Sequence, residues 1–364
     1  MPWCSRRRIT SFGKMIISRT PFRISFFGGG TDYPVWYQEH GGAVLATTID
    51  KYCYLTCRYL PPFFKHKSRI VYSKVETVVS NSQIEHPAAR GILQYLQIEE
   101  GVEIHHDGDL PARTGLGSSS AFTVGLLHAL YGLKGVMPSK SQLAREAIYV
   151  EQELLKEHVG CQDQIIAAFG GLNRIDVQSD GTFHVTPIIV DEEKLVLLER
   201  HLLLFFTGFS RNASDIAAEQ VKVSRQRVAQ LTRMQAMVDE AVAILQGTGD
   251  LTAFGRLLHE GWQAKRSLTD RISTPQIDAW YTAACRAGAL GGKLLGAGGG
   301  GFLLLFVRPE DQERVKDALA DLLPVPFRFE RAGSHIIFYE PDGPAYVTSR
   351  TGAVNLHVPA GEPA

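Results

Sequence analysis

Residues Pro111–Ala121 read PARTGLGSSSA and run straight into an apolar, helix-patterned segment, Phe122–Leu133. Glycine adopts backbone angles closed to other residues and lets a ligand approach the main chain. A helix that begins among serines carries N–H groups without intrahelical partners, and its positive dipole end points the same way. Together these features make an anion site. A Gly/Ser run alone is equally a linker or an ordinary helix cap, so its meaning depends on the rest of the chain.

Two further glycine runs stand far from it. Upstream, PFRISFFGGGTDY (residues 21–33) has a short apolar strand, Ile24–Phe27, that breaks at three glycines, with Arg23 and Asp32 flanking the turn. A carboxylate such as Asp32 can accept from two neighbouring sugar hydroxyls; a hairpin with a solvated Asp is the plainer alternative. Downstream, KLLGAGGGGF (residues 293–302) joins two apolar runs, Leu290–Leu295 and Phe302–Val307. It either closes over phosphates or makes a tight strand–turn–strand.

None of these is a familiar nucleotide loop of another kind. No G-x-x-x-x-G-K-[ST] occurs, since Leu294 follows Lys293 where a hydroxyl is needed. There is no H-R-D or D-F-G, and no G-x-G-x-x-G followed at the right distance by an acidic residue.

The 364 residues suggest two domains, each able to bury a core. Lys plus Arg and Asp plus Glu are both 38, so the balance advertises neither a nucleic-acid nor a membrane surface. No apolar run is long enough to span a bilayer. Five scattered cysteines fit reduced thiols in a cytoplasmic protein. Cys53 and Cys57 lack a second pair at zinc spacing and read as packing residues. His105 and His106, adjacent on a strand, point opposite ways and do not chelate one ion.

Residues 1–14 look unlike the rest, with a basic cluster at Arg6–Arg8, and read as a disordered extension; residues 342–364 are Pro/Gly-rich and read as a tail. Between them, strand-like runs dominate to residue 60. A helix over Ser139–Lys156 carries Glu151 and Glu153 near its end. Asp163, in GCQDQ, opens a further short helix, where a negative charge complements the dipole and needs no catalytic explanation. A long helix from Ser214 to about Gln246 has an apolar stripe that reads as core. Trp262–Arg266 lies on an amphipathic helix and either lines a cleft or simply packs.

The three glycine runs, in this order and spacing, resemble the three motifs of the GHMP kinases and together cover most of the chain. The resemblance implies an α+β fold of two domains. A ribosomal-protein-like N-terminal domain is expected over 15–195 and a ferredoxin-like C-terminal domain over 196–341, with ATP and sugar between them. It implies that Gly115, Leu116, Gly117, Ser118, Ser119 and Ser120 wrap the ATP phosphates. Ser119 and Glu151 fall where the family holds Mg²⁺, Glu153 being the weaker choice. Asp163 matches the catalytic aspartate, and Arg23 an arginine near the reacting groups that helps hold it ionised. Asp32, with Gly30 and Thr31, matches the sugar-holding turn.

Within the family, PFRISFFGGGTDY, GCQDQ and TGFSR (residues 207–211) look most like the heptose 7-phosphate kinases. This implies phosphorylation of the anomeric hydroxyl of D-glycero-α-D-manno-heptose 7-phosphate, on a route to a GDP-activated heptose for capsule or surface-layer glycans. Galactokinase-like members carry Glu-His where this chain has Gly29-Gly30, which argues against plain galactose. A sugar phosphate needs a cation for its distant phosphate; Arg211 is the first candidate and Lys51 the second, and both are equally surface charges. A fucokinase-like anomeric kinase, a decarboxylase on the same scaffold and a silent ATP/sugar sensor stay open, as does a homodimer.

Overall fold

The computed structural model describes residues 10–11, 14–61, 63–112, 114–208, 213–341, 345–348 and 354–355. Two strands set its frame, Met15–Phe27 and Gly42–Tyr59. They pair antiparallel from Met15↔Arg58 to Phe27↔Leu45. Each is one continuous strand. The register shifts at Pro21/Phe22, because proline has no N–H for the ladder and the strand bulges around it. The sheet they found has nine strands and takes in Val102–Gly108, Asn173–Val177 and Phe183–Pro187.

The helix Ser118–Leu133 lies across this sheet and is buried on nearly every face. It sits close because Gly125 and Gly132 carry no side chain. A Cβ at Gly132 would stand 2.1 Å from Ile16, and one at Gly125 2.8 Å from the Thr20 hydroxyl. Ser18 Oγ donates to the Gly125 carbonyl at 2.8 Å and fixes the contact. The helix Gln162–Phe169 packs beside it.

A second, four-stranded antiparallel sheet runs in the order Ala289–Leu294, Gly301–Val307, Leu202–Gly208, Leu323–Pro324. Gly301–Val307 is buried along its whole length. The helices Val228–Gln246, Thr252–Arg266 and Pro275–Arg286 complete this half. The long helix expected from Ser214 is instead two, Ala213–Val223 and Val228–Gln246, parted by a tight turn at Ser224–Gln226. Ser224 Oγ donates back to the Gln220 carbonyl at 2.7 Å, a bond that competes with regular helix.

The two-domain α+β expectation holds, but the chain does not divide at 195 and 341 alone. Phe329–Glu330 pairs with Thr48 and Ile49, and His335–Glu340 with Met15–Arg19, so both return to the first sheet. Ser334 anchors that return: its N–H donates to Ala167 O, and its hydroxyl accepts from Thr20 Oγ1, both at 2.8 Å. Phe254 packs edge-on against Phe26 and Phe27 across the two halves. Within the expected extension and tail, Thr10–Ser11, Ala345–Thr348 and Val354–Asn355 pair as a small antiparallel sheet. Among the described residues no helix is long and apolar enough to cross a membrane.

Candidate active site

The strand Met15–Phe27 delivers Arg23 to the start of the helix Gln162–Phe169, where Asp163 occupies the first turn. Arg23 donates from Nε to Asp163 Oδ1 at 2.6 Å and from Nη2 to Oδ2 at 2.7 Å. Its third nitrogen, Nη1, donates to the Gly115 carbonyl at 2.6 Å, and its own N–H to Leu116 O. One buried guanidinium therefore ties the acidic residue to the loop before the helix Ser118–Leu133. Such forked charge-assisted pairs are strong and directional. Arg23 is almost wholly covered while the Asp163 side chain keeps 24% of its surface open, so the carboxylate is the member that a substrate can reach.

Gly117 lies at φ +73° directly over the pair; a Cβ there would meet Arg23 Cγ at 3.2 Å and Asp163 Oδ2 at 3.3 Å. It also opens the helix without a side-chain cap. The first-turn N–H groups, those of Ser119 and Ser120 among them, lie ahead of the first i→i−4 bond, as at any helix start. The run 296–301 supports this loop from behind. A Cβ at Gly115 would overlap the Leu295 carbonyl at 2.4 Å, and one at Gly296 would overlap Gly115 Cα at 2.4 Å. Lys265 holds that backing in place, donating to the carbonyls of Leu294 and Gly296. Burial pushes its ammonium down to about 8, and the nearby Arg23 adds to the shift. Lys293, also buried, donates to Phe26 O at 2.8 Å and pins the two halves together. Burial, then Lys265 and Arg23, push its ammonium well down.

Asp32 sits beside Asp163 and is fully buried. Its Oδ1 accepts from Gly30 N–H at 2.9 Å and its Oδ2 from Gln162 N–H at 3.3 Å. Burial raises its carboxyl, the two backbone N–H groups oppose this, and Asp163 adds to the rise. Tyr33, next in the turn, faces the same groups; burial, Asp32 and Asp163 all push its phenol up. The sequence reading missed Tyr33, although its place beside Asp32 was the available signal.

Glu151 lies in a single π-turn, Val150–Leu154, that follows the helix Lys140–Tyr149. It has no exposed surface, and burial pushes its carboxyl up to about 7. Its Oε2 accepts from Ser120 Oγ at 2.9 Å and from Gln164 Nε2. The Thr123 hydroxyl also lies near the carboxylate and, with Ser120 and Gln164, opposes the rise, while Oε1 is buried and makes no well-formed hydrogen bond among the described residues. An orphaned carboxylate oxygen at a helix start fits an oxygen-preferring cation such as Mg²⁺, which keeps several waters. The hydroxyl bonded to Glu151 is that of Ser120; Ser119, the expected partner, is exposed beside it. Glu153 points away and pairs with Lys156 at the surface.

The expectation for Thr31 changes. Thr31 is wholly buried; its one hydroxyl proton is shared between Gly28 O and Ala43 O, and its oxygen accepts from Ala43 N–H. Its hydroxyl serves to close the turn. Lys51 bonds to the carboxylate and carbonyl of Asp50 at 3.0 and 3.1 Å; no described contact joins it to Asp32 or Asp163. Arg211 lies outside the described residues. Gly30, at φ +103°, does stand at the turn, donating to Asp32.

Residues 83–171 match the GHMP kinases N terminal domain, and residues 238–325 match the GHMP kinases C terminal family. The D-glycero-alpha-D-manno-heptose 7-phosphate kinase of Campylobacter jejuni is 27% identical over 84% of this chain and 93% of its own. A galactokinase of Roseiflexus is 26% identical over 84% and 86%. Among solved structures, a D-glycero-D-manno-heptose 1-phosphate kinase from Bacteroides thetaiotaomicron superposes with a TM-score of 0.72 at 26% identity. That match covers 88% of this chain and 98% of the other.

Proposed function

The chain belongs to the GHMP kinases and is a phosphotransferase acting on a sugar hydroxyl; from that premise we propose that it phosphorylates the anomeric hydroxyl of D-glycero-α-D-manno-heptose 7-phosphate with ATP. The observation that carries the reading is the forked Arg23–Asp163 pair, set under Gly117 with Asp32 beside it. The name of the Campylobacter relative supports the heptose 7-phosphate.

Phosphoryl transfer needs little covalent help. It needs an in-line nucleophile, neutralised charge and a positioned proton acceptor. Asp163 accepts the proton of the anomeric hydroxyl as that oxygen bonds to the γ-phosphorus and the bond to the departing ADP oxygen breaks. Arg23 fixes the carboxylate so that it meets the hydroxyl in one orientation. Asp32 accepts from sugar hydroxyls, and the N–H groups from Gly115 to Ser120 receive the phosphates. Glu151 and the Ser119 hydroxyl would hold Mg²⁺, which when bound neutralises the triphosphate. Arg211 remains the candidate for the distal phosphate. Cys53, Cys57 and Cys161, buried and unbridged, support a cytoplasmic setting, and a GDP-heptose route is the context we assign.

The test is a coupled ADP-release assay with Mg·ATP against heptose 7-phosphate, mannose, galactose and fucose, the product identified by mass and phosphorus NMR. Turnover confined to the heptose phosphate, with a new anomeric phosphate, supports the reading. Turnover of a neutral sugar keeps the kinase and discards the heptose. ATP binding with no turnover of any sugar brings the sensor and decarboxylase readings forward.

A further inference from the structure

Two polar atoms near Asp32 are buried and unused. Ser25 lies two residues beyond Arg23 on the same strand, 5% exposed. Its hydroxyl has no hydrogen-bond partner among the described residues, and neither has Oε1 of Gln162, the residue before Asp163. Both side chains converge on Gly29. A Cβ placed there would lie 3.5 Å from Ser25 Oγ and 3.7 Å from Gln162 Nε2. The backbone N–H of Gln162 meanwhile donates to Asp32. Gly29 thus leaves room for a methyl-sized group bordered by two polar side chains, next to Gly30 and Gln162, whose N–H groups hold Asp32.

Leaving a buried polar atom unpaired is unfavourable. Such an atom beside a candidate active site asks for a partner, and a ligand group supplies one. The strand could have carried an apolar residue at 25, as it does at Ile24, Phe26 and Phe27. A hydroxyl there, facing an amide, matches a partner that both donates and accepts. A ring hydroxyl does so: it donates to Gln162 Oε1 and exchanges a bond with Ser25 Oγ.

We propose that Ser25 and Gln162 form a sugar-hydroxyl subsite, distinct from Asp32, that selects the substrate by holding a ring hydroxyl other than the one phosphorylated. The proposal rests on the sugar-kinase reading above. In it, Gly29 is functional by what it lacks, since a side chain there would stand between the two groups and the hydroxyl.

The experiment uses the full chain and whichever of heptose 7-phosphate, mannose, galactose and fucose the wild type turns over. Ser25→Ala and Gln162→Leu each remove one bond. Each should raise the KM for that sugar roughly tenfold, the size of one lost neutral hydrogen bond, with ATP KM within twofold. Gly29→Ala keeps both groups but covers them. Its φ is not in the left-handed region and its contacts are ordinary, so the protein folds; the same rise in sugar KM is expected. Selectivity across the four sugars should narrow in all three variants. Unchanged sugar KM in Gly29→Ala and both side-chain variants overturns the subsite while leaving the kinase intact. So does an equal loss for every sugar carried by kcat. A wild type that turns over none of the four removes the sugar-kinase reading and the subsite together.

Discussion

Arg23 grips both carboxylate oxygens of Asp163, with Nε to Oδ1 at 2.6 Å and Nη2 to Oδ2 at 2.7 Å, while its remaining nitrogen holds the Gly115 carbonyl. Asp163→Ala should lower kcat by roughly 10²–10⁴-fold, the usual worth of a positioned proton acceptor, with ATP affinity changed only a few-fold. Arg23→Lys keeps the charge but has no fork. It should lose activity too, and with it the tie to Gly115, so ATP KM should rise as well. Steady-state kinetics on both variants separate the two effects. Turnover of Asp163→Ala within a few-fold of wild type would remove the proton-acceptor role.

Asp32 is held by a glycine as much as by its hydrogen bonds. A Cβ at Gly160 would stand 1.8 Å from Asp32 Oδ2, and the Cys161 N–H that follows donates to Asp32 O. Gly160→Ala must therefore push the Asp32 carboxylate aside. Overpacking of this kind usually costs about 1–3 kcal/mol, readable as a lower urea midpoint. The sugar KM should rise more than the ATP KM, because the displaced carboxylate is the proposed sugar contact. A variant with wild-type sugar KM would show that Asp32 is not a sugar contact.

What the sequence made legible was local chemistry. Arg23, Asp32, Asp163 and the glycines at 115 and 117 lie in short runs whose residue types have few other uses together, and the structure gathers them. What it hid depends on partners far along the chain. Thr31 reads as a sugar contact until Ala43, on the next strand, takes up its hydroxyl. The strands at 329–330 and 335–340 read as the end of the second domain, because nothing local says that they pair with Thr48 and Met15. Ser25 and Gln162 were invisible as a pair, since only the turn at Gly29 brings residues 137 positions apart to one gap.

His128 ties the helix Ser118–Leu133 to the returning chain, its Nδ1 3.0 Å from Ser334 Oγ. Burial pushes its pKa down to about 4 from 6.5, and nearby His335 adds to the drop. Between those values the unfolded chain binds a proton that the folded protein refuses. Stability is therefore full above about pH 6.5 and falls as pH drops towards 4. The loss from this one group amounts to about 3 kcal/mol when complete. Urea unfolding at pH 7.5 and 4.5 should show a smaller acid loss for His128→Gln than for wild type. Equal losses would place the acid sensitivity elsewhere.

Lys265 spends a buried charge on two carbonyls, Leu294 O and Gly296 O, behind the Gly115 loop. Methionine matches its shape without the charge but leaves both carbonyls without this donor, a loss of about 1–3 kcal/mol for each buried acceptor left unsatisfied. Lys265→Met should therefore lower the melting temperature by several degrees. The loop it anchored should loosen, raising ATP KM roughly tenfold on the scale of a hydrogen bond from a charged group, with sugar KM little changed. An ATP KM unchanged beside that fall would instead make Lys265 a residue of the core.

Glu151 combines complete burial with an Oε1 that makes no well-formed hydrogen bond among the described residues. A carboxylate so placed is unfavourable for the folded chain unless a cation meets it. Glutamine keeps the shape and can still accept from Ser120, but carries no charge. Glu151→Gln should therefore raise the melting temperature in a chelator-treated sample while lowering Mg·ATP-dependent kcat by at least tenfold, a trade between stability and activity common at active sites. Added Mg²⁺ with ATP should stabilise the wild type more than the variant, since a ligand stabilises only the state that binds it. Thermal unfolding with and without Mg·ATP reads this apart from turnover. Equal stabilisation of both proteins would move the cation away from Glu151.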